Sequence, residues 1–440
     1  MSSRTNRRRF LQTTAAAGFG FWVAGGAASR KERSPNGKIA FASVGIGGKG
    51  SSDSSDAGRF GDMVAICDVD EGTLKAGAKR FPKAKQYTDF RKMLCEMGKS
   101  IDAVTVSTPD HTHAPAALMA MRMGKHCFCQ KPLTHTIYEA RLMAKVAKDM
   151  KVATQMGNQG TASSSLRKAA AIVKSGALGP VKEVHVWTNR PIWPQGGERP
   201  APVPCPAHLK WDLWLSVAPP RPYANGYHTF AWRGWWDFGT GALGDMACHT
   251  VNMPYMALNL RDPVSVQAEC SGHNKDSYPK WSIITFDFPA QGKRPAVKLF
   301  WYDGGKKPDA DLLEGKKMEG SGCLVIGEKG KLYGPGDYCE KGVSLLGGIS
   351  MPKVKWTESP GHFEEWVLAI NGGGAARSNF ADYSGGLSET ILLGNLAVWA
   401  AASGKGEKVQ WDAKNLKATN MPELDAIIKP TYRPGYTLDA

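Results

Sequence analysis

The sequence lacks the features that mark a membrane protein, a disulfide-stapled domain or a repeat protein. Beyond residue 28 no apolar stretch is long enough to cross a bilayer, and no segment repeats. The nine cysteines are scattered, odd in number and without a C-x-x-C pair. No aromatic-basic motif or basic helix accompanies the net charge of +16. These absences argue against nucleic-acid binding but leave open attraction for an anionic substrate or cell-surface polymer.

Metal-ligand patterns are also scarce. Cys127 and Cys129 are two apart on a predicted strand, so their side chains share a face, and small core residues are the favoured interpretation. Asp245 and His249 are spaced as ligands on a helix, but no third ligand lies at a suggestive distance along the chain. We therefore expect no bound metal.

The first residues have the composition of a targeting signal. A twin arginine, Arg8-Arg9, is followed by Phe-Leu and by an Ala/Gly-rich run from Ala15 to Ala28, and no acid precedes Glu32. The run is too short and too rich in glycine to span a bilayer stably. We predict export of the folded protein by twin-arginine translocation to the periplasm or beyond, with no stable membrane span after signal removal. The alternative interpretation is a disordered basic tail.

A glycine-rich turn follows the first predicted strand. Ile39–Val44 runs into the sequence GIGGKG, which is G-x-G-x-x-G at the end of a strand. In dinucleotide-binding sites the first glycine permits a tight turn and the second lets the backbone approach a pyrophosphate. The third lets the next helix pack closely, with its N-terminal N–H groups facing the anion. The six-letter pattern alone is weak in a chain with 50 glycines, and a simple glycine turn is the alternative.

Asp68 strengthens the dinucleotide interpretation. It ends a second predicted strand, Met63–Cys67, where a carboxylate can accept hydrogen bonds from a ribose 2′-OH. An acid there also repels the extra phosphate of NADP. We predict NAD as the cofactor, with NADP less favoured, and place it against Gly45, Ile46, Gly47, Gly48, Gly50 and Asp68.

Strand and helix patterns alternate from residue 38 onward. Helix-length crossovers between short apolar runs indicate βαβ units in a parallel, doubly wound sheet. The further predicted strands are Ile101–Ser107, His126–Cys129 and Val152–Met156, and the helices are Thr73–Arg80, Asp89–Met97, Ala114–Met123 and Tyr138–Met150. Ligands of such sheets bind at the carboxyl ends of the strands, where Gly45, Asp68, Thr108 and Lys131 fall.

The pattern changes after residue 157. A Trp- and Pro-rich insertion at about 189–236 precedes strands that alternate apolar and polar residues, which indicates an antiparallel sheet with one packed and one more open face. The predicted fold is α/β, a Rossmann domain followed by an α/β domain with a large open, mainly antiparallel sheet. The predicted segments are a signal at 1–28, a linker at 29–37, the NAD-binding domain at 38–157, and a substrate and oligomerisation domain with a C-terminal tail at 158–440.

Three side chains suit the oxidation of an alcohol. Lys131 ends a predicted strand, and Asp245 and His249 are four apart on a predicted helix and share its face. As a hydride leaves the carbon, its hydroxyl must lose a proton. His249 can take that proton, Asp245 can orient the imidazole, and Lys131 can stabilise the alkoxide or act as acid and base. A surface Asp-His pair is the alternative.

In order and spacing, the motifs resemble the Gfo/Idh/MocA family, the glucose–fructose oxidoreductase and inositol dehydrogenase group. The resemblance rests on GIGGKG, CDVD at 67–70, STPDHTHAP at 107–115, QKPL at 130–133 and DFGTGALGDMACH at 237–249. It implies catalytic roles for Lys131, Asp245 and His249, cofactor contacts by Lys131, Thr108, Pro109 and His113, and a homodimer or homotetramer. The sequence departs at Gln130, where the family usually has Glu, so a carboxylate near the cofactor is missing.

The resemblance implies an NAD(P)-dependent oxidoreductase acting on CH–OH groups, with a sugar or polyol oxidised at a ring carbon. Tryptophans of the insertion can stack on a sugar ring, although such residues more often pack in the core. The candidate substrate-binding residues are Asn158, Tyr227, His228 and Trp236. Because a periplasm offers little free NAD, we expect a tightly bound cofactor that is regenerated in place. The alternatives are an NAD-dependent glycosidase that works by transient oxidation and elimination, and a non-catalytic sugar-binding protein.

Overall fold

A parallel sheet of six strands, in the order β3-β2-β1-β4-β5-β6, forms the first half of the structure. In this computed structural model residues 37–436 and 438 are described, so the predicted signal at 1–28 lies outside the described residues. The strands are β1 Ile39–Val44, β2 Gly61–Cys67, β3 Lys85–Tyr87, β4 Ala103–Val106, β5 His126–Cys129 and β6 Thr154–Met156. The helices that connect them are α1 Gly48–Phe60, α2 Glu71–Arg80, α3 Phe90–Met97, α4 Asp110–Arg122 and α5 Ile137–Met150.

Local sequence signals explain where these helices begin. Asp70 caps α2 by accepting from the N–H groups of Gly72 and Thr73. Thr136 and Glu139 form a capping box at the start of α5, in which each side chain bonds the other residue's backbone N–H. The strand order reverses beside β1, with β2 on one side and β4 on the other, and such a switch point opens a crevice at the carboxyl ends of the strands. The predicted parallel Rossmann sheet is confirmed.

A second sheet has nine strands in the order β13-β12-β11-β7-β10-β9-β8-β14-β15. Its pairs are antiparallel apart from β7 with β10, so the prediction of a mainly antiparallel sheet is confirmed. Residues of β9 alternate between buried and half-buried, which matches one packed and one more open face. The strands are β7 Val181–Trp187, β8 Ser265–Cys270, β9 Ser282–Phe288, β10 Val297–Tyr302, β11 Gly322–Gly327, β12 Lys331–Pro335, β13 Ser344–Leu346, β14 Val409–Asp412 and β15 Lys417–Ala418.

The long helix Gly385–Ala400 is apolar on every side and is therefore a core helix. It packs against α5 of the first half and against β8 and β9 of the second sheet. A methyl group on Gly394 would lie 2.6 Å from Leu243 and 2.8 Å from Phe286, so only glycine permits this close packing. This core helix is α11. The other α-helices are α6 Ser164–Lys174, α7 Trp211–Leu215, α8 Gly241–Thr250, α9 Asn252–Leu258, α10 His362–Ile370 and α12 Asp425–Ile428.

The insertion folds around its own aromatic cluster. Its buried members are Leu209, Trp214, Leu215, Ala218, Ala224, Tyr227, Trp232, Trp235 and Phe238. Backbone hydrogen bonds attach it to the first half, since Glu71 N–H donates to His208 O at 2.9 Å and Lys210 N–H donates to Val69 O at 2.9 Å. The insertion therefore lies beside the carboxyl end of β2, next to the crevice.

The nine cysteines are all free thiols, and Cys127 and Cys129 are fully buried in the core as predicted. Over residues 37–436, no cluster of His, Cys, Asp or Glu side chains is arranged to hold a metal ion. In the same part of the chain, no helix combines the length and the apolar character that crossing a bilayer requires.

Candidate active site

A cleft of about 700 Å³ opens where β1, β2, β4 and β5 end and the insertion meets the first sheet. This volume lies in the usual range for small-molecule and cofactor sites. Seven of the residues predicted to bind the cofactor line it: Gly45, Gly47, Gly48, Asp68, Thr108, Pro109 and Lys131. Ile46, Gly50 and His113 do not line it and have positioning roles instead.

The glycine turn has the geometry that a pyrophosphate requires. Gly45 has a φ of +75°, which L side chains rarely adopt. A methyl group on Gly50 would lie 2.0 Å from the carbonyl oxygen of Gly45, so α1 can approach β1 only with glycine there. Gly47 caps α1 without any side-chain hydrogen bond, which leaves the first N–H groups of the helix available to an anion.

Asp68 lies at the end of β2 and is held by the turn. Its Oδ2 accepts from the N–H of Ile46 at 2.9 Å, and its Oδ1 accepts from the N–H of Asp70 at 3.0 Å. Burial raises the pKa of Asp68, although these hydrogen bonds oppose the rise. The glycine turn and a fixed carboxylate about 20 residues later together fit a dinucleotide with free ribose hydroxyls.

His113 was predicted to touch the cofactor, and the structure corrects this. Its ring is buried, with Nδ1 at 2.8 Å from Pro132 O and Nε2 at 2.9 Å from Thr108 O. It therefore links the Thr108 turn to the segment that carries Lys131. Burial lowers the pKa of His113 to about 4.

Gln130 lines the cleft, and a buried carboxylate of α1 lies directly behind it. Asp53 is 1% exposed, and its Oδ2 accepts from Gln130 Nε2 at 2.9 Å and from Ser107 Oγ at 2.8 Å. Lys49, which lines the cleft, pairs with its Oδ1. Sequence reasoning missed Asp53 because an Asp within a Ser-rich helix carries no distinctive spacing.

Lys131 and Asp245 come together in the cleft. Lys131 Nζ donates to Asp245 Oδ1 and to Asp245 O, both at 2.8 Å. Burial raises the pKa of Asp245, but the charges of Lys131 and Arg233 outweigh it, so the pKa is lower than usual. The structure corrects the prediction that Asp245 orients the imidazole of His249, because the carboxylate bonds to the lysine.

His249 lies on the same face of α8 with its ring 3% exposed. Burial, and then the charge of Lys131, hold the pKa of His249 well below its ordinary value, so the imidazole is neutral at neutral pH. Its Nδ1 is buried without a hydrogen-bond partner among the described residues. The ring of Tyr338 meets it edge to face at 4.8 Å. Tyr338 also lines the cleft and was missed by sequence reasoning.

Two arginines complete this end of the cleft and were likewise missed. Arg233 Nε lies 3.4 Å from Asp245 Oδ1, and Arg190 Nε lies 3.8 Å from Asp245 Oδ2. The guanidinium of Arg233 stacks over the ring of Trp232 at 4.2 Å. Arg190 lies in an irregular segment and Arg233 in the short 3₁₀ helix Ala231–Gly234, so neither has a periodicity that indicates where its side chain points.

Of the four predicted substrate-binding residues, only His228 lines the cleft, with its Nε2 at 3.3 Å from Asp70 Oδ2. Asn158 is buried and accepts from Ser378 Oγ at 2.6 Å. Tyr227 is buried in the aromatic cluster, and Trp236 stacks on Tyr278 at 3.7 Å. The tryptophans that do line the cleft are Trp193, Trp214 and Trp232.

Comparison with known proteins agrees with this geometry. The profile of the Gfo/Idh/MocA oxidoreductase family, NAD-binding Rossmann fold, matches residues 39–158, and that of the family's C-terminal alpha/beta domain matches residues 161–438. The chain belongs to this family. Its first domain is therefore an NAD-binding Rossmann domain.

Individual relatives are more distant. Levoglucosan dehydrogenase of Pseudarthrobacter phenanthrenivorans is 26% identical over 188 residues, 43% of this chain and 40% of that protein. A glycosyl hydrolase family 109 protein of Solibacter usitatus is 30% identical over 154 residues, 31% of this chain and 35% of that protein. The match thus spans well under half of either relative's length.

Among solved structures, the WlbA dehydrogenase of Bordetella pertussis in complex with NADH and UDP-GlcNAcA has the same fold. It superposes with a TM-score of 0.59 over 85% of this chain and 99% of that chain, at 17% identity.

Proposed function

We propose that this protein is an NAD-dependent oxidoreductase that transfers a hydride at a hydroxyl-bearing ring carbon of a sugar or polyol. The observation that carries the proposal is the convergence of Lys131, Asp245 and a neutral His249 at one end of the NAD cleft. Bound NAD supplies the hydride acceptor. The similarity to a levoglucosan dehydrogenase adds support for a carbohydrate substrate.

Each of the three side chains has a role that follows from its contacts. Lys131 donates a hydrogen bond to the substrate oxygen and stabilises the negative charge that develops there. Asp245 fixes the direction of the ammonium by accepting two hydrogen bonds, one through Oδ1 and one through its backbone oxygen. His249 is neutral, so its imidazole can accept the proton of the substrate hydroxyl.

The cleft is also built to hold its cofactor. Trp214 and His228 of the insertion and Tyr436 of the C-terminal tail line the same cleft as the glycine turn. Three separate segments would thus surround a bound dinucleotide, and we propose that it does not exchange freely. Purified protein is denatured and assayed for released NAD(H). Stoichiometric release supports retention, whereas empty protein that binds added NAD only weakly argues against it.

The reaction is tested with the same preparation by incubation with free sugars and polyols and by mass analysis of the products. An oxidised sugar with bound nicotinamide in the reduced state is the expected result. Ligand binding without turnover, unchanged by Lys131→Ala, would instead indicate a non-catalytic sugar-binding protein.

An NAD-dependent glycosidase is the second candidate, favoured by the similarity to a glycosyl hydrolase family 109 protein. Elimination from an oxidised sugar needs a further acid or base, and Tyr338 is a candidate because it lines the cleft and its ring packs against His249. Aryl glycosides separate the two functions. Release of the phenol without net reduction of NAD supports the glycosidase, and accumulation of reduced NAD supports the dehydrogenase.

We also propose that the protein is exported by the twin-arginine route and assembles as a homodimer or homotetramer. The proposal for export is supported by Arg8-Arg9 and the apolar run after it. Cell fractionation of the full chain and of an Arg8→Lys/Arg9→Lys variant tests it, because only the unchanged chain should reach the periplasm. Light scattering of the purified protein measures its oligomeric state.

A further inference from the structure

The substrate end of the cleft carries an excess of positive charge. Three cations, Lys131, Arg190 and Arg233, surround the single carboxylate of Asp245 within 2.8 to 3.8 Å. His249 adds no charge, because its pKa is held well below neutrality by burial and by Lys131. Asp110 is a second acid that interacts with Lys131 and Arg233, and it is buried and accepts from Thr240 Oγ1 at 2.6 Å. Even with Asp110 ionised, the cations outnumber the carboxylates.

The distances show which of the three cations pairs most closely with Asp245. Lys131 makes two hydrogen bonds of 2.8 Å with this residue, whereas the nearest guanidinium nitrogens of Arg233 and Arg190 are 3.4 and 3.8 Å from the carboxylate. The arginines are thus only loosely paired with Asp245. Both side chains are mostly buried, at 25% and 21% exposed, and both line the cleft.

Arg233 is also held in place on its apolar side. Its guanidinium lies 4.2 Å above the ring of Trp232 and 4.9 Å from that of Phe230, and its Nη1 donates to Phe230 O at 3.1 Å. A guanidinium stacked on aromatic rings keeps its edge free to donate in the ring plane. A planar fork of N–H donors in a partly buried site is suited to an oxyanion, which it can bind with two parallel hydrogen bonds.

We propose that the sugar substrate carries an anionic group, a carboxylate or a phosphate, which Arg190 and Arg233 bind beside Lys131. This inference rests on the proposed function for the identity of the reacting sugar. It adds that Arg190 and Arg233 determine specificity by favouring acidic over neutral sugars. A neutral sugar would leave two partly desolvated guanidinium groups with only their loose pairing to Asp245.

The binding test uses three sugars of matched size, D-glucuronate, D-glucose 6-phosphate and D-glucose. Each is titrated into the NAD-loaded protein by calorimetry. We expect at least one anionic sugar to bind about tenfold more tightly than glucose or better, since charge-assisted hydrogen bonds are roughly twice as strong as neutral ones. The anion that binds more tightly identifies the group as carboxylate or phosphate.

The variants Arg190→Gln and Arg233→Gln should each weaken binding of that anionic sugar by roughly tenfold and so reduce its preference over glucose. Arg233→Lys keeps the positive charge but loses the two parallel N–H donors. Its affinity for the anionic sugar should lie between those of the unchanged protein and Arg233→Gln. Lys182→Gln is the matched control, since this exposed lysine pairs with Glu328 and does not line the cleft. Retention of NAD and an unchanged melting temperature show that each variant is folded.

The inference is overturned if neither anionic sugar is preferred to glucose, including the case in which none of the three binds, or if both glutamine variants keep the preference. Its failure is distinguishable from failure of the proposed function. Preferred binding of an acidic sugar, with no product from any sugar, would contradict the oxidoreductase and leave the binding inference standing.

Discussion

The ammonium of Lys131 lies 2.8 Å from both the side-chain and the main-chain oxygen of Asp245, so one residue of α8 holds it at two points. Removing the ammonium by Lys131→Ala should lower kcat by about 10²- to 10⁴-fold, the range typical for a positioned acid or base. Asp245→Asn keeps an oxygen acceptor at both points and loses only the negative charge, so it should have a smaller effect. Steady-state kinetics with the reactive sugar measure both.

Lys145→Ala is the control for this pair of variants, because Lys145 is an exposed lysine that pairs with Asp149 on α5. Its kcat should equal that of the unchanged protein. Equal kcat values for Lys131→Ala and Lys145→Ala would show that Lys131 takes no part in the reaction.

Gly50→Ala should abolish tight NAD binding. The added methyl group would lie 2.0 Å from Gly45 O, so α1 would have to move away from the turn that receives the pyrophosphate. Ser55→Ala on the exposed face of the same helix is the control. Cofactor content after purification and the Kd for added NAD check the expectation. A Gly50→Ala protein with full cofactor content would show that α1 does not bind the pyrophosphate.

Gln130→Glu, which installs the residue usual in the family, should destabilise this particular protein. Gln130 Nε2 lies 2.9 Å from Asp53 Oδ2, so two carboxylates would meet there, and we expect a loss of about 1–3 kcal/mol in the free energy of unfolding at neutral pH. Like charges raise a carboxyl pKa in the folded state, so the loss appears as the pH rises through that raised pKa and vanishes in acid.

The double variant Gln130→Glu/Asp53→Asn exchanges amide and carboxylate and should recover most of the lost stability. Denaturant unfolding at several pH values measures both proteins. If the double variant is no more stable than Gln130→Glu alone, the two side chains do not form the pair described.

Asp110 should make the binding of an anionic sugar depend on pH. Burial raises its pKa to about 6, although the hydroxyl of Thr240 and the charges of Arg233, His135 and Lys131 oppose the rise. Below this pH the carboxyl is neutral and the cleft more positive, and above it the carboxylate offsets one cation. The Kd for an acidic sugar should therefore increase as the pH rises through about 6. In Asp110→Asn the inflection should disappear, and an identical profile in that variant would assign it to another group.

Much of the fold was predictable because its signals are local. Short apolar runs between capped helices indicate a parallel sheet, and the GIGGKG turn with Asp68 after the next strand identifies the cofactor crevice. The helical spacing of Asp245 and His249 correctly placed both on one face of α8. It did not reveal that Asp245 bonds to Lys131, because that contact joins residues 114 positions apart.

The side-chain contacts of the insertion could not be predicted for a related reason. Its helical segments, Trp211–Leu215 and Ala231–Gly234, are too short for a period to indicate which way its tryptophans point, so their partners depend on tertiary packing. Trp236 and Tyr227 were expected at the substrate, yet one stacks on Tyr278 and the other fills the aromatic cluster. Arg190, in an irregular segment, and Arg233, in a four-residue 3₁₀ helix, gave no signal that they approach Asp245.

The central claim is that Lys131 and its partners act on a sugar beside a bound nicotinamide. The most direct measurement is a single turnover in which NAD-loaded protein is mixed rapidly with glucuronate, glucose 6-phosphate or glucose while the absorbance of reduced nicotinamide is followed. We expect the band to appear with at least one of these sugars and to be absent in Lys131→Ala that still holds its cofactor. The same rate of reduction in both proteins, or no reduction with any sugar, would contradict it.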